Sequence, residues 1–547
     1  VQHLDWYSSW KASLVASPAT SAGSWRFLIA LFLHPLYTKG EEPKMATSLS
    51  RRQFLTLTGA TMAGLTIAAC ASPAASPSGE EGGGSTAAKT VRMYAQGLTP
   101  RDRLETDRWD PPQKMRDVAQ AYRDANPGVE LEFLEEITQG YEEWLVTQMS
   151  GGTAPEIVWY QRGYIARDYE KGWFVNLDPY LDQPNPYIEG NQKWKDAFQG
   201  PVIASGTAPD GHIYMITGDI VGTGLFYNKT MFDELGLTVP ETWTEYAEVQ
   251  QALKDAGHIP LSISMDLAGG VQLYGSWSTR IIQDVLYDAR MAELNDGKPV
   301  ERTWKPGENL PPPKMVRAIH DGHYGAEDPE WKEMLRLLQG WSAFWPDGFW
   351  ATPPDDVYRL WAEGQAGMAW LGSWMNKPVR NDPLVTFEWG IFPKIPRITE
   401  EDSEFGGLDF PAMAGVGGVF QYAISSVAEQ NGVLDETIDW MRFITAPENL
   451  IALLNDHGGF APGTVDTTGA DPSLSVYTDM MVQYGTERIE PFDSMLTREF
   501  VDLMWQNLQQ FLAGQIDLDT MASMTNAEMQ SAAQQLLSEH PDWAEAS

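Results

Sequence analysis

"DGHIYMITGDIVGTGLFYNKTMFDELGLTVPETWTEYAEV", residues 210–249, holds a strand, two helices and the turns that join them. Residues 222–227 (Gly-Thr-Gly-Leu-Phe-Tyr) form a short apolar and aromatic run, which predicts a strand. A short helix is expected over 228–235, stopped by Gly236. Thr242 is placed to cap a second helix over 244–257, because its hydroxyl can accept a backbone N–H left unpaired in the first turn.

The same alternation appears upstream. Residues 89–94 (Lys-Thr-Val-Arg-Met-Tyr) read as a first strand, 112–126 as a helix closed by Pro127-Gly128, and 129–133 as a second strand. A helix over 141–149 ends at Gly151-Gly152, and 156–160 reads as a third strand. Strands alternating with helices predict parallel βαβ units, an α/β sheet and ligand sites at the carboxyl ends of its strands. Tyr160 and Gln161 stand at such an end. Further on, 334–344, 357–363, 433–445 and 498–513 carry helical spacing, while 366–370 and 419–424 read as short buried strands. Residues 296–327, with Pro311-Pro312-Pro313 and several charges, read as a loop or insertion.

At 547 residues the chain is too long for one core, since domains run to roughly 100 to 200 residues. Its 75 acidic and 38 basic side chains give a net charge of −37, a field that repels nucleic-acid phosphates and anionic lipids. Twenty-two Trp, 20 Tyr and 20 Phe supply flat apolar faces, much of which is expected in the core and part of it stacked on a ligand.

Ser50-Arg51-Arg52-Gln53-Phe54-Leu55 is a twin arginine ahead of a large apolar pair, similar to the signal of the twin-arginine export route. A mildly apolar run over 55–69 ends in Ile67-Ala68-Ala69-Cys70, which resembles a bacterial lipobox with Cys70 as the lipidated residue. The alternative is a buried apolar helix with a chance cysteine; the order of arginines, short apolar run and lipobox favours the signal. Residues 1–44 do not suit a position ahead of such a signal, so Met45 is expected as the initiator and 45–69 as the signal peptide. Residues 70–89, rich in Ser, Pro, Gly and Ala, read as a flexible tether. Residues 1–69 carry six basic and three acidic side chains, so the remainder has a net charge of −40. Cys70 is the single cysteine, which leaves the folded part no thiol for a disulfide, a metal or nucleophilic catalysis.

Four landmarks then align with one family. "AYRDANPGVELEF" with "WLVTQMSGGTAPEIVWY", the opening stretch itself, "WAEGQAGMAWLGSWM", and "GGVFQYAIS" with "TIDWMRFITAPENLIALLNDHGGFAP" resemble, in order and spacing, the extracellular solute-binding proteins of the family-one type. These are the binding components of ATP-binding-cassette importers for sugars. The resemblance spans roughly 90–525, with Glu156 where the family usually has Asp, and Met215 and Ile216 after Tyr214 where it commonly has Pro.

The resemblance implies a two-lobed, type II periplasmic-binding-protein-like fold with the ligand cleft between lobes joined by hinge crossings. It places one lobe at about 90–217 and 394–447, the other at about 218–393 and 448–525, and a tail at 526–547. Hinges are expected near 214–219, 392–395 and 446–449. It further implies stacking and edge contacts to a sugar from Tyr160, Gln161, Trp277, Trp370 and Trp374. Polar and close-approach contacts are expected from Tyr94, Gln96, Asp219 and the turn Gly417-Gly418-Val419. For each aromatic, core packing is the alternative, most strongly for Trp370 on its buried strand. The expected function is high-affinity binding of a sugar or oligosaccharide and its delivery to membrane permease subunits, by a monomer anchored through Cys70 outside the cytoplasmic membrane. No catalysis, cofactor, metal or nucleic acid is expected.

Two other classes remain open at this stage. A secreted glycoside hydrolase would need two carboxylates flanking a sugar bond, and pairs such as Glu135-Glu136 and Asp355-Asp356 arise by chance in so acidic a chain. A structural or adhesive surface lipoprotein would show no closure with a small molecule. His320 and His323 have metal-like spacing without a third ligand nearby, and Asn228-Lys229-Thr230 matches a glycosylation sequon that coincides with the family turn. No phosphate-binding loop of the Gly-Lys-Ser/Thr kind occurs, so ATP hydrolysis would belong to a partner subunit.

Overall fold

The computed structural model describes residues 88–545 except 106, 108, 136, 138 and 139. Arg51, Arg52, Cys70 and Glu136 lie outside the described residues, as do the start at Met45, the signal peptide and nearly all of the tether. In chain order the strands are β1 (Lys89–Tyr94), β2 (Val129–Phe133), β3 (Ile157–Trp159), β4 (Met215–Thr217), β5 (Asp219–Asn228), β6 (Ile259–Ser262), β7 (Ala366–Gly372), β8 (Trp389–Ile391), β9 (Ala414–Val416), β10 (Gln421–Ile424) and β11 (Ala461–Pro462). They form two sheets. The first has the order β2-β1-β3-β10-β4, with β1 parallel to β2 and β3, and β10 antiparallel to β3 and β4. The second has the order β11-β5-β7-β6, and β8 and β9 also pair with the long strand β5.

Each sheet carries its own core, which makes the molecule two-lobed. Val91, Met93, Tyr122, Trp194 and Trp440 are buried in the first lobe. Phe226, Trp331, Trp361, Trp370 and Phe511 are buried in the second. Burying one such side chain stabilises by about 1.5–3 kcal/mol, so the aromatic richness is largely spent here. In the opening stretch, Asn228 caps the helix Lys229–Leu235 through Met231 N–H, and Thr242 and Glu245 close a reciprocal capping box on the helix Trp243–Asp255.

The structure differs from expectation in four places, three of them at lobe or tail boundaries. The helix Pro447–His457, expected in the second lobe, packs Leu450, Leu453 and Leu454 into the first core. Conversely Ile395, Ile398 and Phe410, expected in the first, lie in the second core. The region read as a loop, 296–327, contains the helix Pro312–His320, whose prolines fall at its start where no N–H partner is needed. The expected tail is the continuation of the helix Leu518–Glu539, which buries Met529, Ala532 and Ala533 in the second core.

Glu156 explains its departure from the resemblance. Its fully buried carboxylate accepts from Arg92 N–H at 2.8 Å, from Arg92 Nε and Nη2 at 3.0 Å, and from Asn431 at 2.7 Å, joining β1, β3 and the segment after β10. Burial alone would raise its pKa, but these hydrogen bonds hold it below the ordinary 4.5. A group depressed in the fold stabilises above its unfolded value, and that contribution is lost as pH falls. Glu156→Ala is therefore expected to cost on the order of 2 kcal/mol in denaturant unfolding at neutral pH. The difference from wild type should shrink as pH falls below 4.5.

Candidate binding cleft between the lobes

The chain passes between lobes at adjacent places, three among the described residues: Gly218 between β4 and β5, Gly417-Gly418 between β9 and β10, and Phe460 ahead of β11. β5 brings them together, since Ile220 pairs with both Val416 and Ala461, and Asp219 with Pro462. Only the first coincides with an expected hinge. The expected crossings near 392–395 and 446–449 lie inside the cores, at Phe392 and Ile395 in the second and Leu450 beside the first.

Asp219, the first residue of β5, is 0% exposed, and its carboxylate is enclosed by backbone donors. Gly418 N–H reaches both oxygens at 3.1 Å, Val419 N–H reaches Oδ2 at 3.1 Å and Phe420 N–H reaches Oδ1 at 3.1 Å. Gly417 turns the chain with a φ of 81°, in the left-handed region that favours glycine. At Gly418 a Cβ would lie 2.5 Å from the Phe460 ring and 2.8 Å from Val221, so the turn fits only without one. Burial pushes the Asp219 carboxyl up to about 7, against the opposing pull of the three N–H groups. The predicted residues Asp219, Gly417, Gly418 and Val419 are thus brought together, with Asp219 holding the turn from behind.

On the first lobe, Tyr94 is 2% exposed and stacks on Tyr141 at 4.8 Å between ring centroids. Gln96 follows at a φ of 50°, an uncommon value for a side-chain-bearing residue, and its Oε1 accepts from Gly97 N–H at 2.5 Å. At the end of β3 the alternation of side chains decides the faces. Tyr160 points into a small core against Phe174, with its hydroxyl donated to Asp168. Trp159 is the half-buried member, and its indole N–H donates to Gly418 O at 3.1 Å. Gln161 is exposed, and its amide oxygen lies 3.5 Å from the Gln421 amide nitrogen that also donates to Gly418 O at 3.1 Å.

On the second lobe, Trp277, Trp370 and Trp374 form one cluster, with Trp277 5.6 Å from Trp370 and 6.3 Å from Trp374. Trp277, 8% exposed, and Trp370, fully buried, both belong to the second core, and Trp370 donates to Thr223 Oγ1 at 3.0 Å. Trp374 is half-buried and packs against both cores.

Two residues missed from the sequence join these faces. The His457 ring meets Phe460 edge-on at 4.7 Å, and a Cβ on Gly97 would come within 3.4 Å of His457 Nε2 and 3.1 Å of Val419. His457 Nδ1 has no hydrogen-bond partner, and burial with nearby Lys377 lowers its pKa to about 4, which keeps it neutral at physiological pH. A Cβ on Gly459 would lie 2.4 Å from the Trp374 backbone. The signal for both was the "DHGGF" run, where a helix ends in two glycines between polar and aromatic residues.

Other motifs lie apart from this place. His320 bonds Asp321 at 2.9 Å and Gln534 at 3.0 Å, and no group of three metal-ligating side chains occurs among the described residues. Asp356 is paired with Arg359 at 2.9 Å. No helix among the described residues is long and apolar enough to cross a membrane.

Two α/β lobes joined by adjacent crossings define a two-lobed fold of the periplasmic-binding-protein type. The chain belongs to the family described as bacterial extracellular solute-binding protein, which matches residues 117–473. It is 26% identical over 125 residues to the multiple sugar-binding protein of Streptococcus mutans serotype c, a stretch that is 22% of this chain and 26% of that relative's length. A solved chitin oligosaccharide binding protein superposes with a TM-score of 0.58 at 19% identity, over 82% of this chain and 100% of that one. A sugar transporter from Bacillus licheniformis in complex with stachyose gives 0.55 at 15%, over 81% and 99%. At these identities the likeness establishes the fold.

A carboxyl whose pKa is raised in the fold contributes stability below its unfolded value and loses it as pH rises through the folded one. For Asp219 that window runs from 3.8 to about 7. Asp219→Asn, which cannot ionise, is expected to lack this slope: across the window wild type loses stability relative to the variant, measured by urea unfolding at a series of pH values.

Proposed function

We propose that this chain is the solute receptor of an ATP-binding-cassette importer for a sugar or oligosaccharide. The observation that carries the reading is Trp374, half-buried and packed against both cores beside Trp277, while the first lobe carries the half-buried pair Trp159 and Tyr141. A sugar offers apolar CH faces and a ring of hydroxyls. Indole faces cover the first, while amides, an imidazole and backbone groups satisfy the second.

In this reading Trp159, Trp277 and Trp374 stack on the ligand. Gln96, Gln161, His457 and the turn Gly417-Gly418-Val419 meet its hydroxyls. Tyr94, Tyr160, Trp370 and Asp219 support that surface from behind. Closing the lobes exchanges a wet cleft for a drier one, and the ligand shifts the population toward the closed form by its extra contacts there. The chain acts without turnover, as a monomer, and passes the ligand to permease subunits whose partner supplies ATP hydrolysis. Arg51-Arg52 directs export, and Cys70 carries the lipid that keeps the receptor at the outer face of the cytoplasmic membrane, beyond the tether 70–89.

Raffinose, stachyose, maltotriose and chitin oligosaccharides form the test panel. One of them should raise the melting temperature, since a ligand at about 100 times its dissociation constant stabilises by roughly 2.7 kcal/mol. Trp374→Ala should weaken that binding at least tenfold while retaining the fold, and turnover of chromogenic glycosides would refute the receptor reading. Cys70→Ser is expected to move the protein from the membrane pellet to the soluble exported fraction, followed by immunoblot.

A further inference from the structure

The segment between Leu98 and Met115 leaves the first lobe and returns to it. Both end residues lie in the first core, yet Trp109 between them packs against the second. Its indole meets the Tyr358 ring edge-on, with centroids 5.8 Å apart and planes at 71°. Tyr358 is 5% exposed on the helix Pro354–Ala362, which packs on β7 and β6. Those strands form the side of the second sheet away from β11 and the crossings.

The described residues of the segment are tied to one another and to the first lobe. Arg101 forks onto Asp107 at 2.5 and 3.0 Å, Arg103 reaches Asp110 at 2.6 Å, and Arg116 reaches Asp102 at 2.8 Å. Gln113 holds Arg101 O at 2.8 Å, and the backbone N–H groups of Gln113 and Lys114 both donate to Asp456, at 2.5 and 2.7 Å. The strap is bonded to the first lobe at its base through Asp456, while its Trp109 packs on the second. Beside it lies a cavity of about 380 Å³ lined by Trp109, Arg359, Asn381, Asp382, Pro383 and Leu384.

We infer that Trp109 is a positioning residue for cleft closure: a latch on a first-lobe strap that grips Tyr358 of the second lobe and sets how much of the protein is closed before any solute arrives. The contact lies away from the crossings, so it exists only when the lobes are together. A contact made in one state alone shifts the equilibrium toward that state, and an edge-on aromatic pair does so by roughly two- to tenfold. Apparent solute affinity then scales with the closed fraction that the latch maintains.

The inference does not rest on the sugar reading, because its test uses ligand-free protein. Small-angle scattering should give Trp109→Ala a larger radius of gyration than wild type, at a melting temperature within about 2 °C of it. Trp109→Phe, which keeps a ring for Tyr358, should restore the compact value, and Leu104→Ala on the same strap, 58% exposed, should not differ from wild type. Tyr358→Leu removes the grip from the other lobe and should reproduce the opening. Unchanged scattering for Trp109→Ala, or opening that Trp109→Phe fails to reverse, would overturn the latch.

Discussion

One buried carboxylate organises the junction on which both lobes depend. Asp219 begins the central strand of the second sheet, and the donors it holds, from Gly418, Val419 and Phe420, lead into β10 of the first. Backbone hydrogen bonds surround it: Gly417 N–H to Asp219 O and Gly218 N–H to Phe420 O at 2.9 Å, and Gly463 N–H to Gly218 O at 2.8 Å. An unpaired buried N–H costs about 1–3 kcal/mol, so these groups fix the crossings in one arrangement. Everything that faces the cleft is aimed from that arrangement.

The aromatic faces follow from it. Trp159 reaches Gly418 O from the first lobe, while on the second lobe Trp374 stands against Gly459, next to the third crossing. These two half-buried indoles are therefore tied within a residue or two of the pivot. Sites near a pivot move least during closure, so they can hold a ligand in both states while the outer parts of the lobes come together. Trp370 and Tyr160 lie one layer further back, with their polar atoms already satisfied by Thr223 and Asp168.

The fold was legible because its elements are locally consistent. β1 and β2 match their predicted bounds, and Asn228 and Thr242 cap the helices that the opening stretch announces. Faces and boundaries were harder. Tyr160 and Trp159 differ by one position, which reverses the face of a strand, and a sheet covered on both sides gives no polar alternation to decide between them. The helix Pro447–His457 is amphipathic whichever lobe it joins, so Leu450 and Leu454 identify a buried face without naming its partner. Pro311-Pro312-Pro313 disguised the helix they begin, since proline is a breaker inside a helix but suits its first turn. His457 went unnoticed because its position depends on contacts with Gly97, 360 positions away in the chain.

The junction also settles what kind of motion the molecule can make. Three neighbouring crossings, two of them passing glycines into which Phe420 and Phe460 press, leave no slack for the lobes to slide; a Cβ at Gly218 would meet Phe420 at 2.7 Å. Three adjacent crossings of this kind suit rotation about a common axis. In such a hinge, contacts beside the axis and contacts away from it both shift the closed population, each by what it gains on closing. The division is visible here. Asp219 and its turn fix the axis, Trp159 and Trp374 stand beside it, and the strap bearing Trp109 meets Tyr358 on the helix Pro354–Ala362, which packs over β7 and β6 of the second lobe.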